Sequence, residues 1–292
     1  MTHRALWVEA EVSKRLGPDG YKWFLERAKR YIANCQMCKG TATVSVPNTL
    51  LNEGFRKRDG TVTNYTIQQA CSICLGHVEL LEQFVYAYHY FVPPAYRWCI
   101  LSQLTPYEGT KEIVPLERQQ AILDMLRAEP EGSYMLFGPA HCGETVWTTA
   151  LFIQSLWLHY MRDGRHRRKM PIQRISAKKL LDQHTDYAMR RYEKDDEGFS
   201  VADEPDVTAE KIIKLRRDGH TFKLYLEEID KIAQTDSRRN NLFDIVNTLH
   251  EQEGVLVLNS NLRPEEFAVQ FGEDFAWRIG KKCKTINLFD AK

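Results

Sequence analysis

Residues 138–145 combine glycines, a hydroxyl and a carboxylate in a spacing that suits phosphate binding. They follow an apolar run, SYMLF, and precede a helical pattern that begins ETVWTTALF. Glycines allow such a loop to curl so that backbone N–H groups face inward, and the N-terminus of the next helix adds partial positive charge. The segment predicts a phosphate loop whose members all contact a nucleotide: Gly138, Pro139, Ala140, His141, Cys142, Gly143, Glu144 and Thr145, with the Thr145 hydroxyl placed to ligate Mg²⁺.

The charge at position 144 contradicts the GxxxxGK[ST] pattern of such loops. Glu144 stands where a lysine normally neutralises the β- and γ-phosphates, and His141 stands where glycine is common. Like charges within about 4 Å cost on the order of several kcal/mol in a partly desolvated site. Two interpretations remain: a nucleotide loop with inverted electrostatics, or a strand–turn–helix that binds no nucleotide.

Two adjacent carboxylates, Glu227 and Glu228, close the apolar run KLYLE. In ATPases with a phosphate loop, the first acid of such a pair holds Mg²⁺ through water and the second orients the attacking water as a general base. Acidic pairs also occur at helix N-termini. Because this pair ends a strand that follows the loop in the chain, the order predicts a catalytic pair, with Glu227 as the second Mg²⁺ ligand.

Polar residues also end the next apolar run, VLVLNSNL, where Asn259, Ser260 and Asn261 follow one another. A polar side chain at this strand end would lie between the loop and the acidic pair and could sense the γ-phosphate, although Asn and Ser also form ordinary turns. Further along, Arg278 lies on a predicted helix, FGEDFAWRI. It could enter a neighbouring subunit's site as an arginine finger, or be a surface arginine without that role.

Four of the seven cysteines form two Cys-x-x-Cys pairs, Cys35/Cys38 and Cys71/Cys74. Two such turns can present four thiolates to a tetrahedral zinc ion, and four thiolates leave no open position for chemistry. The 32 residues between the pairs carry strand-like runs on both sides of RKRDG, which predicts a hairpin. The alternatives are buried reduced cysteines or a redox pair. An odd cysteine count without a secretion signal argues against a disulfide framework.

The elements that must position these residues alternate between strands and helices. Five strand-like runs predict an α/β fold with a five-stranded, mostly parallel sheet, since such sheets need helical crossovers between their strands. Upstream, two helical patterns flank the cysteine pairs and predict a small N-terminal α+β module. The five predicted strands span 133–137, 172–176, 223–227, 255–259 and 284–288.

Composition limits the classes of function. The 292 residues carry a formal charge of +1, so no global field attracts DNA or anionic lipid. No apolar run of 18 residues predicts a membrane span, and the first residues lack the apolar centre of a signal peptide, so we expect a cytoplasmic protein without membrane contact. The basic cluster at 165–169 is either a DNA contact or a solvated loop.

The order of these motifs resembles the AAA+ P-loop ATPases, in particular the DnaC/IstB-like helicase loaders and transposition helpers. The resemblance covers roughly residues 113–280 and implies ATP and Mg²⁺ as cofactors. By this resemblance, Glu227 and Glu228 match the Walker B pair, Asn261 the sensor 1 position and Arg278 the arginine finger. Glu144 departs from the Walker A lysine, which opposes tight ATP binding and hydrolysis.

The resemblance also implies partners and a division of the chain. We expect a zinc-binding module at 1–95, a linker at 96–115 and an ATPase domain at 116–292 with a reduced or absent lid. ATP would control self-assembly on DNA, together with a replicative helicase or a transposase. The alternative is an adaptor that does not hydrolyse ATP and binds protein or DNA through its zinc module, as N-terminal zinc modules do in related loaders.

Overall fold

A computed structural model describes residues 26, 28–30, 33–39, 41, 43–47, 66–70, 72–162, 170–192, 203–232 and 235–289. The chain divides into two compact units. One comprises Met1–Tyr90 with Trp157–His166, and the other comprises Phe91–Leu156 with Arg167–Lys292. Within the described part of the chain, no helix is both long enough and apolar enough to cross a membrane.

In the first unit, a two-stranded antiparallel ladder confirms the predicted hairpin. Strand β1 (Thr43–Pro47) pairs with β2 (Thr66–Ala70), with Thr43 opposite Ala70. Helix α1 (Ser72–Phe91) begins earlier than the sequence pattern indicated. The ring of Phe84, on this helix, packs edge-on against Trp157 at 5.2 Å between centroids, which joins α1 to the segment 157–166.

In the second unit, a five-stranded parallel sheet confirms the predicted α/β core. Its strands stand in the order β4-β5-β6-β3-β7, and every neighbouring pair is parallel. Strands of such a sheet are covered by helices on both faces, and this is why their apolar runs are nearly continuous. The strands are β3 (Tyr134–Phe137), β4 (Ile172–Ser176), β5 (Lys223–Glu227), β6 (Val255–Ser260) and β7 (Lys284–Asn287).

Helices connect these strands, and three of them begin at a hydroxyl residue. Ser176, Thr208 and Thr235 each accept a hydrogen bond from the backbone N–H three residues later, which satisfies a donor that the first helical turn leaves without a partner. The helices are α2 (Leu116–Ala128), α3 (Glu144–Trp157), α4 (Ala177–Arg190), α5 (Ala209–Arg217), α6 (Asp236–Glu251), α7 (Pro264–Phe271) and α8 (Glu273–Lys282).

A buried glutamine fixes the segment that precedes α2. Gln119 accepts a hydrogen bond from the backbone N–H of Tyr107 at 2.8 Å and donates to the carbonyl of Val114 at 2.8 Å. A buried amide whose groups are bonded rigidifies the segment that it contacts. Residues of this segment line a cavity next to the predicted phosphate loop.

Candidate functional site

The loop between β3 and α3 has a sharply curled backbone. His141 and Gly143 adopt positive φ angles of 71° and 102°. The backbone N–H of Cys142 donates to the carbonyl of Pro139 at 3.2 Å, which closes a tight turn. Glycine adopts such angles without strain, whereas histidine does not, and strained positions of this kind concentrate at functional sites. The predicted strand–loop–helix arrangement is therefore present.

Glu144, the first residue of α3, turns back into this loop. Its side chain is only 8% exposed, and the Cys142 thiol donates to its Oε2 at 2.8 Å. A Cβ atom at Gly138 would overlap the Cys142 sulfur and lie 2.9 Å from Glu144 Oε2. The two side chains thus fill the interior of the loop, and only glycine fits at position 138.

Burial changes the ionisation of this carboxyl group. It raises the pKa of Glu144 to about 7; the hydrogen bond from Cys142 lowers that pKa, the charge of Asp230 raises it and the charge of Lys231 lowers it. Desolvation disfavours the charged form of an acid, so near neutral pH a large fraction of Glu144 is protonated. The electrostatic objection to phosphate binding is consequently weaker than the sequence indicated.

The second carboxylate of the acidic pair, Glu228, is held in a left-handed conformation. Its φ and ψ are 56° and 47°, directly after the carboxyl end of β5. Its backbone N–H donates to Asn259 Oδ1 at 2.6 Å, and its carboxylate forms an ion pair with Lys231. A conformation this costly persists only where neighbouring groups fix it. The side chain of Glu228 lines the cavity beside the loop.

The first carboxylate of the acidic pair, Glu227, forms an ion pair with Arg174. Its Oε1 lies 2.6 Å from Arg174 Nη2 and accepts a second hydrogen bond from Nε of the same arginine at 3.1 Å. Arg174 is 5% exposed at its side chain and also donates to Thr149 Oγ1 at 3.0 Å. Thr149 lies one helical turn after Thr145 and donates to its carbonyl at 2.7 Å. Arg174 therefore already supplies a positive charge to the carboxylate that the sequence assigned to Mg²⁺.

The donors that remain for Mg²⁺ are hard oxygen atoms, as this ion prefers. Thr145, Glu228 and Asn261 line one cavity, whereas Glu227 is not part of that lining and its Oε1 is paired with Arg174. The Thr145 hydroxyl is the group of this chain that would hold such an ion, and a Mg²⁺ ion there would neutralise charge on a bound phosphate.

The polar end of β6 lies between the loop and the acidic pair, as predicted. Strand β6 separates β3 from β5 in the sheet. The side chain that contacts the acidic pair is Asn259, which is 3% exposed, while Asn261 bonds to Asp230 through its backbone N–H and its Nδ2, both at 3.1 Å. The sensing role that the resemblance gives to Asn261 stays a prediction, and Asn259 is the asparagine that bonds to the acidic pair. Both asparagines line the cavity.

These elements enclose a cavity of about 950 Å³. Loop residues 140–147 form one side, residues 103–113 form another, and aromatic side chains of Trp98 and Tyr107 contribute to the lining. The volume suits a ligand of the size of a nucleotide. Among the described residues that line it, Lys231 is the one lysine or arginine.

Arg278 lies in a different place. It is half-buried on α8, where its Nη1 bonds to Asn247 Oδ1 and its guanidinium lies 4.9 Å from the centroid of the Phe243 ring. Both partners belong to α6. Its predicted role concerns a neighbouring subunit and stays a prediction.

The first cysteine pair forms a compact turn. Cys35 and Cys38 are both buried, Lys39 adopts a φ of 50°, and its N–H donates to the Cys35 carbonyl at 2.9 Å. Cys71 lies outside the described residues, and Cys74 lies in α1 with a side chain that is not described. Among the residues that the structure does describe, no three His, Cys, Asp or Glu side chains cluster to hold a metal. The basic cluster at 165–169 also lies outside the described residues.

Detectable similarity to known proteins is confined to solved structures. No protein-family model matches the chain, and no curated protein matches it. The AMPPCP-bound structure of DnaA from Aquifex aeolicus aligns at 14% identity over 68% of this chain and 51% of that one, with a TM-score of 0.44. The chain thus spans about half the length of that structure. A crystal structure of the DnaC helicase loader aligns at 14% identity over 67% of this chain and 99% of that one, with a TM-score of 0.45.

Proposed function

We propose that this chain binds a nucleoside triphosphate, ATP, in the cavity beside loop 138–143, and that it is an AAA+ protein of the DnaC/IstB-like kind. One observation carries the proposal: the curled loop, the first turn of α3, Glu228 and the polar end of β6 all line the same cavity. In open parallel sheets, ligands bind at the carboxyl ends of the strands, where these elements meet. The N-terminus of α3 supplies the partial positive charge that phosphate requires.

A matched pair of glycine variants tests this proposal. Gly143→Ala and Gly272→Ala both place a Cβ atom at a positive φ, 102° and 92°, just before a helix. Both should destabilise the fold by about 1 kcal/mol, but only Gly143→Ala should weaken binding of fluorescently labelled ATP with Mg²⁺. We expect micromolar affinity for the wild type and for Gly272→Ala. Equal affinities in all three proteins would exclude the loop as the binding site.

The state of the acidic pair favours slow hydrolysis. Glu227 is paired with Arg174, and Glu228, whose side chain is 48% exposed, is paired with Lys231, so an ion pair opposes the catalytic role of each carboxylate in this conformation. We therefore expect a turnover below about 1 s⁻¹, at the low end for enzymes. Phosphate release measured with saturating ATP checks this, with Glu228→Gln as the background control. Release indistinguishable from that control, combined with tight ATP binding, would favour the adaptor that does not hydrolyse ATP.

Zinc binding by the four cysteines gains support from the register of the hairpin. Thr43 lies opposite Ala70, and Cys38 precedes the first of these residues by five positions while Cys71 directly follows the second. In an antiparallel ladder, the residues before the first strand and those after the second start from the same end, as a four-thiolate site requires; Cys71 itself lies outside the described residues. We expect one zinc per chain after purification without chelators, and less than half in a Cys35→Ser variant. A metal content near zero in the wild type would refute the site.

Assembly on DNA with a helicase or transposase remains the broadest part of the proposal. It derives from the sequence resemblance, with Arg278 as the residue that completes a neighbour's site. Sedimentation with and without ATP tests it: Arg278→Ala should reduce assembly, whereas Lys281→Ala, on the same helix, should not. Equal assembly in both variants would show that Arg278 is not an arginine finger.

A further inference from the structure

The cavity contains a cation that the phosphate-loop pattern does not include. Lys231 ends the 3-10 turn Ile229–Lys231, which directly follows Glu228. Its side chain is 54% exposed and lines the cavity together with loop residues 140–147. It is the one lysine or arginine among the described residues of that lining.

The ammonium group of Lys231 lies in a negatively charged environment. Lys231 forms an ion pair with Glu228. The hydrogen bond that Lys231 donates to Glu228 is the main cause that raises the pKa of Lys231; burial lowers that pKa, and the charges of Glu228, Asp230 and Glu144 raise it. The group is therefore charged at all physiological pH values.

The sheet places this cation within reach of the loop. Strands β3 and β5 are separated only by β6, so they lie about 10 Å apart. Lys231 and Glu144 line the same cavity, and the charge of Lys231 lowers the pKa of Glu144. Glu144 itself is turned inward onto Cys142, so the space in front of α3 is open to a side chain from the β5 side.

We propose that Lys231 is the phosphate-binding cation of this site and replaces the lysine that phosphate loops carry at position 144. The inference rests on the proposed nucleotide binding and specifies its ligand as a polyphosphate, since a lysine from the β5 side meets the outer phosphates of a chain held by the loop. A bound phosphate competes with Glu228 for Lys231 Nζ. Binding therefore releases the Glu228 carboxylate into the cavity, at the position of a general base.

Alanine variants of two lysines test the proposal in the full-length chain. Lys284 is the matched control, because it is 55% exposed, forms an ion pair with Glu129 and begins β7 at the opposite edge of the sheet. With labelled ATP and Mg²⁺, Lys231→Ala should raise Kd at least about tenfold, as expected for a lost charge-assisted contact. Lys284→Ala should leave Kd unchanged, and Glu144→Lys in the Lys231→Ala background should restore binding.

Unlabelled competitors provide a second measurement. Inorganic tripolyphosphate should displace labelled ATP from the wild type. In Lys231→Ala, the inhibition constants of tripolyphosphate and unlabelled ATP should increase more than the inhibition constant of AMP. If Lys231→Ala binds ATP as the wild type does while Gly143→Ala loses binding, Lys231 is not the phosphate cation and the loop remains the nucleotide site. If the wild type binds no ATP at all, both the proposed function and this inference are wrong.

Discussion

Replacement of Glu144 by glutamine should stabilise the folded protein at alkaline pH and have a much smaller effect at acidic pH. Burial raises the pKa of this carboxyl from its ordinary value of 4.5 to about 7. As pH rises, the unfolded chain loses its proton first, and the folded chain must then either keep a proton or bury a charge. The free energy of unfolding therefore falls as pH rises from 4.5 to 7.

The size of the effect follows from the two pKa values. A difference of about 2.5 pH units corresponds to about 3 kcal/mol once both states are ionised. Between about pH 5.5 and about pH 8.5, the stability of Glu144→Gln relative to the wild type should rise by about 2 kcal/mol. Glutamine keeps the length of the side chain and an oxygen that accepts the Cys142 thiol hydrogen, so the packing inside the loop is preserved.

Urea unfolding followed by tryptophan fluorescence, without nucleotide, measures this difference across pH. Trp147 is buried next to Gly143 and reports on the loop. The control is Glu273→Gln, which alters an exposed glutamate that also begins a helix after a glycine at positive φ. Because its side chain is exposed, this control substitution should change the free energy of unfolding by less than about 0.5 kcal/mol. A Glu144→Gln effect that stays constant from acidic to alkaline pH would refute the assignment of a buried, protonated carboxyl.

Three further predictions concern the same site. ATP affinity should fall as pH rises through about 7, because ionised Glu144 repels phosphate, and a binding titration of Glu144→Gln should show a smaller fall. Arg174→Ala should destabilise the protein by about 3 kcal/mol, measured by urea unfolding, since Glu227 would keep a partly buried charge without its partner. Asn259→Ala should lower the free energy of unfolding by about 1–3 kcal/mol and reduce any phosphate release, because it removes the acceptor that fixes the Glu228 backbone.

Two further alanine variants serve as controls for the Arg174 and Asn259 substitutions. Arg216→Ala breaks a surface ion pair with Glu253 and should lower the free energy of unfolding by less than about 1 kcal/mol. Asn261→Ala removes a contact with Asp230 instead of the contact with Glu228 and should affect phosphate release less than Asn259→Ala. If Arg216→Ala lowers the free energy of unfolding as much as Arg174→Ala does, the burial of the Arg174–Glu227 pair has no energetic consequence.

Much of the sheet could be predicted because its strands are local apolar runs. The runs at 172–176 and 223–227 match β4 and β5 residue for residue, and the glycine-containing segment at 138–143 forms the expected loop. The antiparallel pairing of β1 with β2 likewise agrees with the strand-like runs on either side of a basic segment, whereas their register comes from the structure. Local patterns suffice here, since each element buries its own apolar residues against whatever covers it.

The chemistry of the site was decided by contacts between distant residues. The charge at position 144 suggested repulsion of phosphate, but burial beside Cys142 raises the pKa of the Glu144 carboxyl. Lys231, which lies 87 positions later in the sequence, lines the same cavity. Arg174 reaches Glu227 across 53 positions, and Asn259 holds the backbone of Glu228 across 31. The sequence determines which groups are present and the order of the elements that carry them. Ionisation and pairing depend on burial and on distances of a few ångströms, and only the tertiary structure sets these.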